Sequence, residues 1–498
     1  MLDNLNSMEQ LSDENQIPKH WQIKKLGEIS KVKGGKRLPK GDTYSDEVTR
    51  FPYLRVTDFE NLTINTKKLK YLKESTQKLI KNYIISKDDV YISIAGTIGV
   101  TGTIPAILDG ANLTENAAKI TELKNCYNKF ISLFLTSIDG QSQIKNYTKT
   151  TTQPKLSLYR IEQIDIPLPP LPEQQAIVSK IEELLSDLEN GKQQLLTAQQ
   201  QLKVYRKALI MEGVTGKLTL KWRTEHPEIE SSEKVFQKIQ NLLDKSFKVA
   251  SEEAASNGKR KPKDQRKNKR TTNVEADLPE LPESWNYYRL EDITFLVTDG
   301  THFTPKYQKT GVKFLSVKNV RPFYFREEDV KYISQEEHKS LIERCNPQKN
   351  DILYTKVGAT YGYAAKVTMD YDFSIFVSLC LIKPVYKYFS SDFLEILMNS
   401  ELVFKQARKR VSGSGVPDLH LIEIRDFKIP LPSLEEQLQI VEELESKLTV
   451  CDKIEETIKE ALQKSETLRQ SILQKAFSGQ LIKNQGNHKN QINYGSDN

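Results

Sequence analysis

From residue 177 onward, apolar or small side chains recur at alternating intervals of four and three. They are Ile177, Ile181, Leu184, Leu188, Gly191, Leu195, Ala198, Leu202, Tyr205 and Leu209. A strict 4-3 repeat places one stripe along a helix and predicts a coiled-coil seam. The same pattern returns 263 residues later at Ile440, Leu444, Lys447, Cys451, Ile454, Ile458, Ala461, Ser465, Leu468 and Ile472. Start signals precede each stripe: Pro172 suits a first helical turn, and Ser433 with Glu436 has capping-box spacing. Stop signals follow in Gly213 and Gly216 and in Gly479. About 39 residues of helix give a rod of about 58 Å. A lone apolar stripe is unfavourable in water, so each helix needs a partner, and the other copy is the nearest one. Gly191 sits mid-helix and its repeat mate is Ile454. An antiparallel pair would set that missing side chain opposite a large one, which favours the antiparallel arrangement.

The repeat extends beyond the helices. Residues 166–175 read IPLPPLPEQQ and residues 429–438 read IPLPSLEEQL. Without gaps, 166–218 and 429–481 are identical at 16 of 53 positions. Each copy starts at a similar signal, Pro18 with Trp21 and Pro282 with Trp285. Between start and tail lies a diverged globular segment. Short apolar runs at 51–56, 89–94, 312–317 and 351–354 predict strands, and 128–138 and 391–411 predict helices. The fold class is therefore α+β: two globular domains separated by two long antiparallel coiled-coil helices, related by a pseudo-twofold internal repeat. The predicted boundaries are a polar extension at 1–16, a first domain at 17–165 and a first helical region at 166–218. A linker at 219–277 follows, then a second domain at 278–428, a second helical region at 429–482 and a polar tail at 483–498. Within the linker, 235–247 has helical spacing, whereas the basic stretch behind it has too few apolar residues to order itself.

Charge changes the picture only where it is concentrated. The net charge of +7 equals that of residues 259–270 alone, which hold eight bases and one acid. Residues 17–165 carry 24 bases against 15 acids, an excess that favours a polyanionic partner. Residues 278–428 are balanced, 21 against 20. The four cysteines lie far apart, which indicates neither a zinc site nor a disulfide framework and fits the cytoplasm. No apolar run reaches the roughly 18–20 residues of a membrane span, and the polar start of the chain has no signal-peptide core.

The common catalytic constellations are absent from the sequence. Gly213 to Lys217 is too short for a phosphate loop, and the glycines at 96, 99 and 102 are spaced for a turn between strands. Pro417-Asp418 with Glu423 and Arg425 resembles a nuclease motif, but it ends in arginine and its repeat mate has Lys155 in place of the aspartate. The chain reads as a recognition or scaffold protein.

Polar loops occupy matching places in both halves. Lys33, Lys36 and Arg37 lie in a glycine-containing basic loop whose counterpart holds Thr301 and His302. Lys149 and Thr151 precede Pro154, as Arg408 and Arg410 precede Pro417. Cations, hydroxyls and glycines in such loops suit contacts to phosphates and base edges. With Arg55, Lys318 and Lys356 these residues are the candidate DNA contacts. The 259–270 run reads as a solvated linker with loose phosphate affinity.

Two diverged domains, each followed by a Pro-Leu-Pro-x-Leu-x-Glu-Gln segment and a long helix, resemble the specificity subunit of type I restriction–modification enzymes. The Trp21 and Trp285 starts, and the Gly-Lys-Leu and Gly-Gln-Leu endings at Leu218 and Leu481, fit that resemblance. It implies that each domain is a target recognition domain reading one half of a split, asymmetric site in double-stranded DNA, with the helices as a ruler. It implies docking of two methyltransferase subunits and of restriction–translocase subunits. S-adenosylmethionine, ATP and Mg2+ would belong to those partners, with no cofactor and no metal on this chain, which itself would not be catalytic. A coiled-coil scaffold and a stand-alone restriction or modification enzyme are the competing readings.

Overall fold

A computed structural model describes residues 17–148, 154–258, 260–267, 277–411 and 416–482. The chain forms two compact units, Met1–Thr197 with Ile458–Asn498 and Ala198–Thr457. Both long helices therefore contribute one end to each unit.

In the first unit, strand Gln22–Lys25 pairs antiparallel with Asp165–Leu168, closing the globular domain just before its helix. A four-stranded antiparallel sheet runs in the order Lys31–Gly34, Ala117–Thr121, Val90–Ser93, Thr101–Thr103. A second sheet orders Lys70–Tyr71, Pro52–Leu54, Ala111–Leu113 and Ile84–Ile85. The second unit repeats this plan. Asn286–Arg289 pairs with Lys428–Leu431, and its main sheet runs Thr294–Asp299, Leu379–Pro384, Ile352–Thr355, Ala364–Lys366. Its smaller sheet holds Lys331–Ile333, Val312–Leu315 and Phe373–Ile375. All four strands anticipated from apolar runs are present, three of them trimmed and the fourth shifted by one residue to Ile352–Thr355.

The helix anticipated at 391–411 is broken in two, and the one anticipated at 128–138 stops at Thr136 and is followed by a second, unanticipated helix. Asn128–Thr136 gives way to Ile138–Tyr147, and Ser391–Met398 to Glu401–Arg410. The cause is a serine at each break. Ser137 and Ser400 turn extended and accept the N–H of Gly140 and Val403, starting a new helix.

The long helices, Leu171–Val214 and Leu434–Phe477, have 44 residues each. In the first unit Ile177, Val178 and Ile181 share a core with Ile472, Leu473, Ala476 and Phe477. In the second, Gly213 faces Ile440 and Leu444, while Arg206 pairs with Asp452 and Glu455. In each unit the beginning of one helix lies beside the end of the other, so they run antiparallel. Ile177, Ile181, Ile440, Leu444, Cys451 and Ile458 are buried; Leu184, Leu188, Gly191, Leu195 and Leu202 are half-buried.

Four expected seam positions are corrected: Lys447 is exposed, and three others with it. Tyr205, Ile454 and Leu468 are 52%, 44% and 51% exposed, and Arg206, Glu455 and Arg469 are less exposed than these neighbours. An α-helix of 3.6 residues per turn drifts about 20° per heptad against a strict 3.5 repeat. Alternate inward positions are therefore displaced by one, to Arg206 in the first helix and to Leu448, Glu455 and Arg469 in the second, while Leu202, Leu209, Cys451, Ile458 and Ile472 keep their places. Gly191 and Ile454 do not form the expected layer. A Cβ at Gly191 would meet nothing within 4 Å, and Ile454 faces water.

The Glu-Gln pair of the repeated motif makes the same tryptophan and backbone bonds in both copies. Trp21 Nε1 donates to Glu173 at 3.0 Å, and Trp285 Nε1 donates to Glu436 at 2.8 Å. The Gln174 side chain accepts the N–H of Tyr127 and donates to the carbonyls of Asn125 and Pro169. Gln437 accepts from Ser390 and donates to Tyr388 and Pro432. The motif thus ties the long helix to the first residues of its own domain and to a loop across it. Because Glu436 is spent on Trp285, Thr219 and Arg223, the expected capping box is half made: only Ser433 accepts, from the Glu436 N–H.

The glycine at each helix end has a related task. Gly216 and Gly479 adopt φ of +73° and +74°. A Cβ there would strike the ring of Pro282 at 2.7 Å or of Pro18 at 2.3 Å. Only glycine permits both the turn and this contact.

The linker is more ordered than its composition implies. Helix Ser232–Ser256 buries Val235, Ile239 and Leu243 in the core of the second unit, and Phe236 stacks on Tyr288. Residues 260–267 of the basic stretch, expected to be disordered, are held by side-chain bonds from Arg266 to Asp244, Asp264 and Gln240. Residue 259 and residues 268–276 lie outside the described residues.

Candidate nucleic-acid interface

One end of each main sheet gathers the polar loops. In the first unit the strands finish at Gly34, Ala117 and Ser93, and the chain beyond them is cross-linked. Gly35 N–H donates to Ala117, Ile94 N–H to Asn116 and Leu156 N–H to Ile94, while Ala95 bridges Lys155. Segments 35–37, 94–100, 114–116 and 154–156 therefore converge. The second unit builds the same end. Thr301 N–H donates to Ile375, Lys356 N–H to Ser378, Leu419 N–H to Lys356 and Gly358 N–H to Pro417. Segments 300–302, 356–362, 376–378 and 417–419 converge there.

Glycine is required at the root of the first loop in both. A Cβ at Gly35 would lie 2.1 Å from the Thr114 carbonyl oxygen, and one at Gly300 would lie 2.0 Å from that of Ile375. The glycine-rich stretch at 96–102 is a hairpin turn, as its spacing indicates. Ser93 Oγ donates to the Thr97 carbonyl and accepts the N–H of Val100. Thr355 repeats this with Thr360 and Tyr363.

The two ends share a backbone and differ in chemistry. In the first unit Arg37 pairs with Glu115 at 2.8 Å with its side chain 79% exposed, and Lys36 stands 5.5 Å over the Tyr83 ring. Burial acts to raise the Glu115 carboxyl, but bonds from Arg37, its own N–H and Thr114 hold it below the usual carboxylate range. Lys33 joins Lys31 on Glu122 at the strand's outer end, and their hydrogen bonds bring that carboxyl down to about 2. In the second unit the buried Asp299 collects His302 at 3.2 Å, Arg344 at 3.2 Å and Lys356 at 3.9 Å. His302 and the exposed Lys318 remain at the surface.

Four candidate contacts are corrected. Arg410 is 1% exposed, paired with Asp426 and set over the Phe427 ring, and burial lowers its pKa despite that partner. Lys356 is 6% exposed between Asp299 and Asp418. Thr301 is buried. Arg55 forks onto Asp58 and donates to the Lys68 carbonyl, so it closes a turn. Arg410 and Lys356 are claimed by carboxylates distant in sequence, whereas Arg55 and Thr301 are claimed by near neighbours, Asp58 and Phe303. Arg408 is exposed and lines a groove of about 460 Å³ with Lys405, Lys409, Met211 and Leu278. Lys149 and Thr151 lie outside the described residues.

Sequence reading missed Lys155 and Arg344. Lys155 is exposed and bridged to the hairpin loop; its place beside Pro154 was a usable signal. Arg344 is brought to Asp299 from 45 residues away, and nothing local marks it.

Residues 18–198 and 282–464 each match the type I restriction modification DNA specificity domain. The chain belongs to that family. Its task is DNA target recognition, and the two matched stretches are the two copies of the repeat. Among its relatives, the EcoBI specificity subunit of Escherichia coli is 27% identical over 415 residues, covering 80% of this chain and 75% of the relative. The EcoKI specificity subunit of Escherichia coli K12 is 22% identical over 480 residues, covering 93% and 90%. The fold matches that of the HsdS subunit from Thermoanaerobacter tengcongensis, with a TM-score of 0.54, 17% identity, and coverage of 93% of this chain and 98% of that one. A chain solved in a study of complex assembly and conformational transition of a type I R-M system gives 0.60, at 18% identity, covering 93% and 99%.

Proposed function

We propose that this specificity subunit reads a split, asymmetric duplex site, one half with each loop cluster. The observation that carries this reading is the pair of equivalent sheet ends presenting unlike side chains. Arg37, Glu115 and Lys36 mark one, and Asp299, His302 and Arg344 mark the other. Equivalent scaffolds favour equivalent docking, and unlike side chains favour different bases. Lys36, Arg37, His302, Lys318 and Arg408 are the proposed contacts, joined by Lys155 and Arg344; Lys33, held by Glu122 at the far end of its strand, is not among them. The long helices act as the spacer between half-sites.

The chain serves recognition and leaves catalysis to partners in the cytoplasm. Two methyltransferase subunits would bring S-adenosylmethionine, and restriction–translocase subunits would bring ATP and Mg2+. Apolar residues left exposed along the helices support docking of protein there: Leu196, Val204, Leu438 and Val450 are 36–68% exposed. The described cysteines are free thiols, which suits a reducing compartment. No described helix is long and apolar enough to cross a membrane.

The test is domain exchange. Replacing residues 17–165 with another first domain, in complex with the partner subunits, should change one half of the methylated sequence and leave the other intact. A change in both halves, or in neither, overturns the reading.

A further inference from the structure

A strip of cations is fastened beside the second loop cluster. Residues 260–267 hold Arg260, Lys261, Lys263, Asp264, Arg266 and Lys267. Such a composition stays disordered unless something anchors it. Here two residues do. Arg266 donates to Asp244 and Gln240 of helix Ser232–Ser256 and also neutralises Asp264. The Gln265 side-chain oxygen accepts the N–H of Val297, on strand Thr294–Asp299. That strand is an edge of the main sheet, and it ends at Asp299, two residues on, in the candidate interface. Two residues of strand span about 7 Å.

The anchors use the one acid and one of the five bases. Arg260, Lys261, Lys263 and Lys267 stay exposed, with Lys261 resting 5.6 Å from the Phe247 ring. No ion pair holds any of the four among the described residues. A solvated linker needs no anchoring, whereas a row of cations fixed at the margin of a DNA-reading surface suits a regular array of phosphates.

We propose that Arg260, Lys261, Lys263 and Lys267 form a second DNA contact, a sequence-independent grip on the phosphate backbone beside the half-site read by the second domain. The proposal rests on the reading of the chain as a DNA-recognition subunit. It adds a contact that the first unit does not share, since the insertion lies only between the two domains.

The test uses the full complex with its partner subunits. Binding is measured against salt on a labelled duplex carrying the methylated site and on a scrambled duplex of equal length. In the variant R260Q/K261Q/K263Q/K267Q, the slope of log affinity against log salt should become shallower by about 2–4 units, at about 0.9 per phosphate contact. Affinity should fall by the same factor on both duplexes, leaving the specificity ratio unchanged. The charge-keeping variant R260K/K261R/K263R/K267R should restore the slope. An unchanged slope overturns the proposal, and so does loss of a partner subunit with DNA binding otherwise intact, which would mark the strip as a protein contact. If the wild-type complex fails to distinguish the two duplexes, the recognition reading itself fails, a result separable from either.

Discussion

At the scale of single residues, burial decides what a charged group does. Glu436 is fully buried and holds Trp285, Thr219 and Arg223, while Glu173, its repeat mate, has a side chain 30% exposed with His20 and Trp21. Removing one partner of a buried ion pair strands the other charge. Glu436→Gln should therefore cost about 3 kcal/mol, and Glu173→Gln under about 1 kcal/mol. Denaturant unfolding of the two variants checks the difference; equal losses would contradict it. His338 offers a pH test. It is buried on helix Gln335–Ile342 with Nδ1 2.9 Å from Ser374 Oγ, and burial lowers its pKa below the ordinary 6.5 despite the pull of Asp372. The unfolded chain then takes up the proton first, so stability is full above about 6.5 and is lost as pH falls below it. His338→Asn should flatten the dependence of the melting temperature between about pH 7 and pH 5.

At the scale of elements, the long helices carry geometry more than dryness. Their seam is buried near the helix ends and at Cys451 and Ile458, and half-buried around Leu188, Leu195 and Leu202. Stiffness comes from 44 continuous residues in each. Deleting one heptad at repeat-equivalent places in both should shorten the spacer by about 10 Å. The gap tolerated between half-sites should then fall by about three base pairs at 3.4 Å each. Mapping methylated sites in a host carrying that variant reads the gap, and an unchanged gap would remove the helices from their spacer role. The apolar period was legible in the sequence because it repeats over many turns. The one-residue slip that exposes Ile454 and Leu468 was not, because a strict heptad hides the 3.6-residue turn.

At the scale of the whole molecule, the repeat closes on itself. Gly479, at the end of the second helix, abuts Pro18 at the start of the first domain, as Gly216 abuts Pro282. Residues 17 and 482 belong to the same unit. A permuted chain that joins Ile482 to Ile17 through a short linker, and opens in the insertion after Asn257, should fold and keep both half-site specificities. Circular dichroism and the methylation pattern check this. A permutant that aggregates would show that the covalent order of the two copies matters beyond their contacts.

The sequence alone determined the duplication, the long helices, the mixed α and β domains and the family, because these rest on motifs and periods that recur along the chain; the antiparallel sense of the helices was decided by the core contacts at their ends. The Glu-Gln pair could be read as a signature without knowing its partners. What only tertiary structure decided was the fate of each loop cation. Arg37 stays open to solvent while Arg410 and Lys356 are consumed by Asp426, Asp299 and Asp418, and Arg344 arrives from a distant helix end. Local composition supplies charge; whether that charge faces DNA or a buried carboxylate depends on neighbours that only folding brings together.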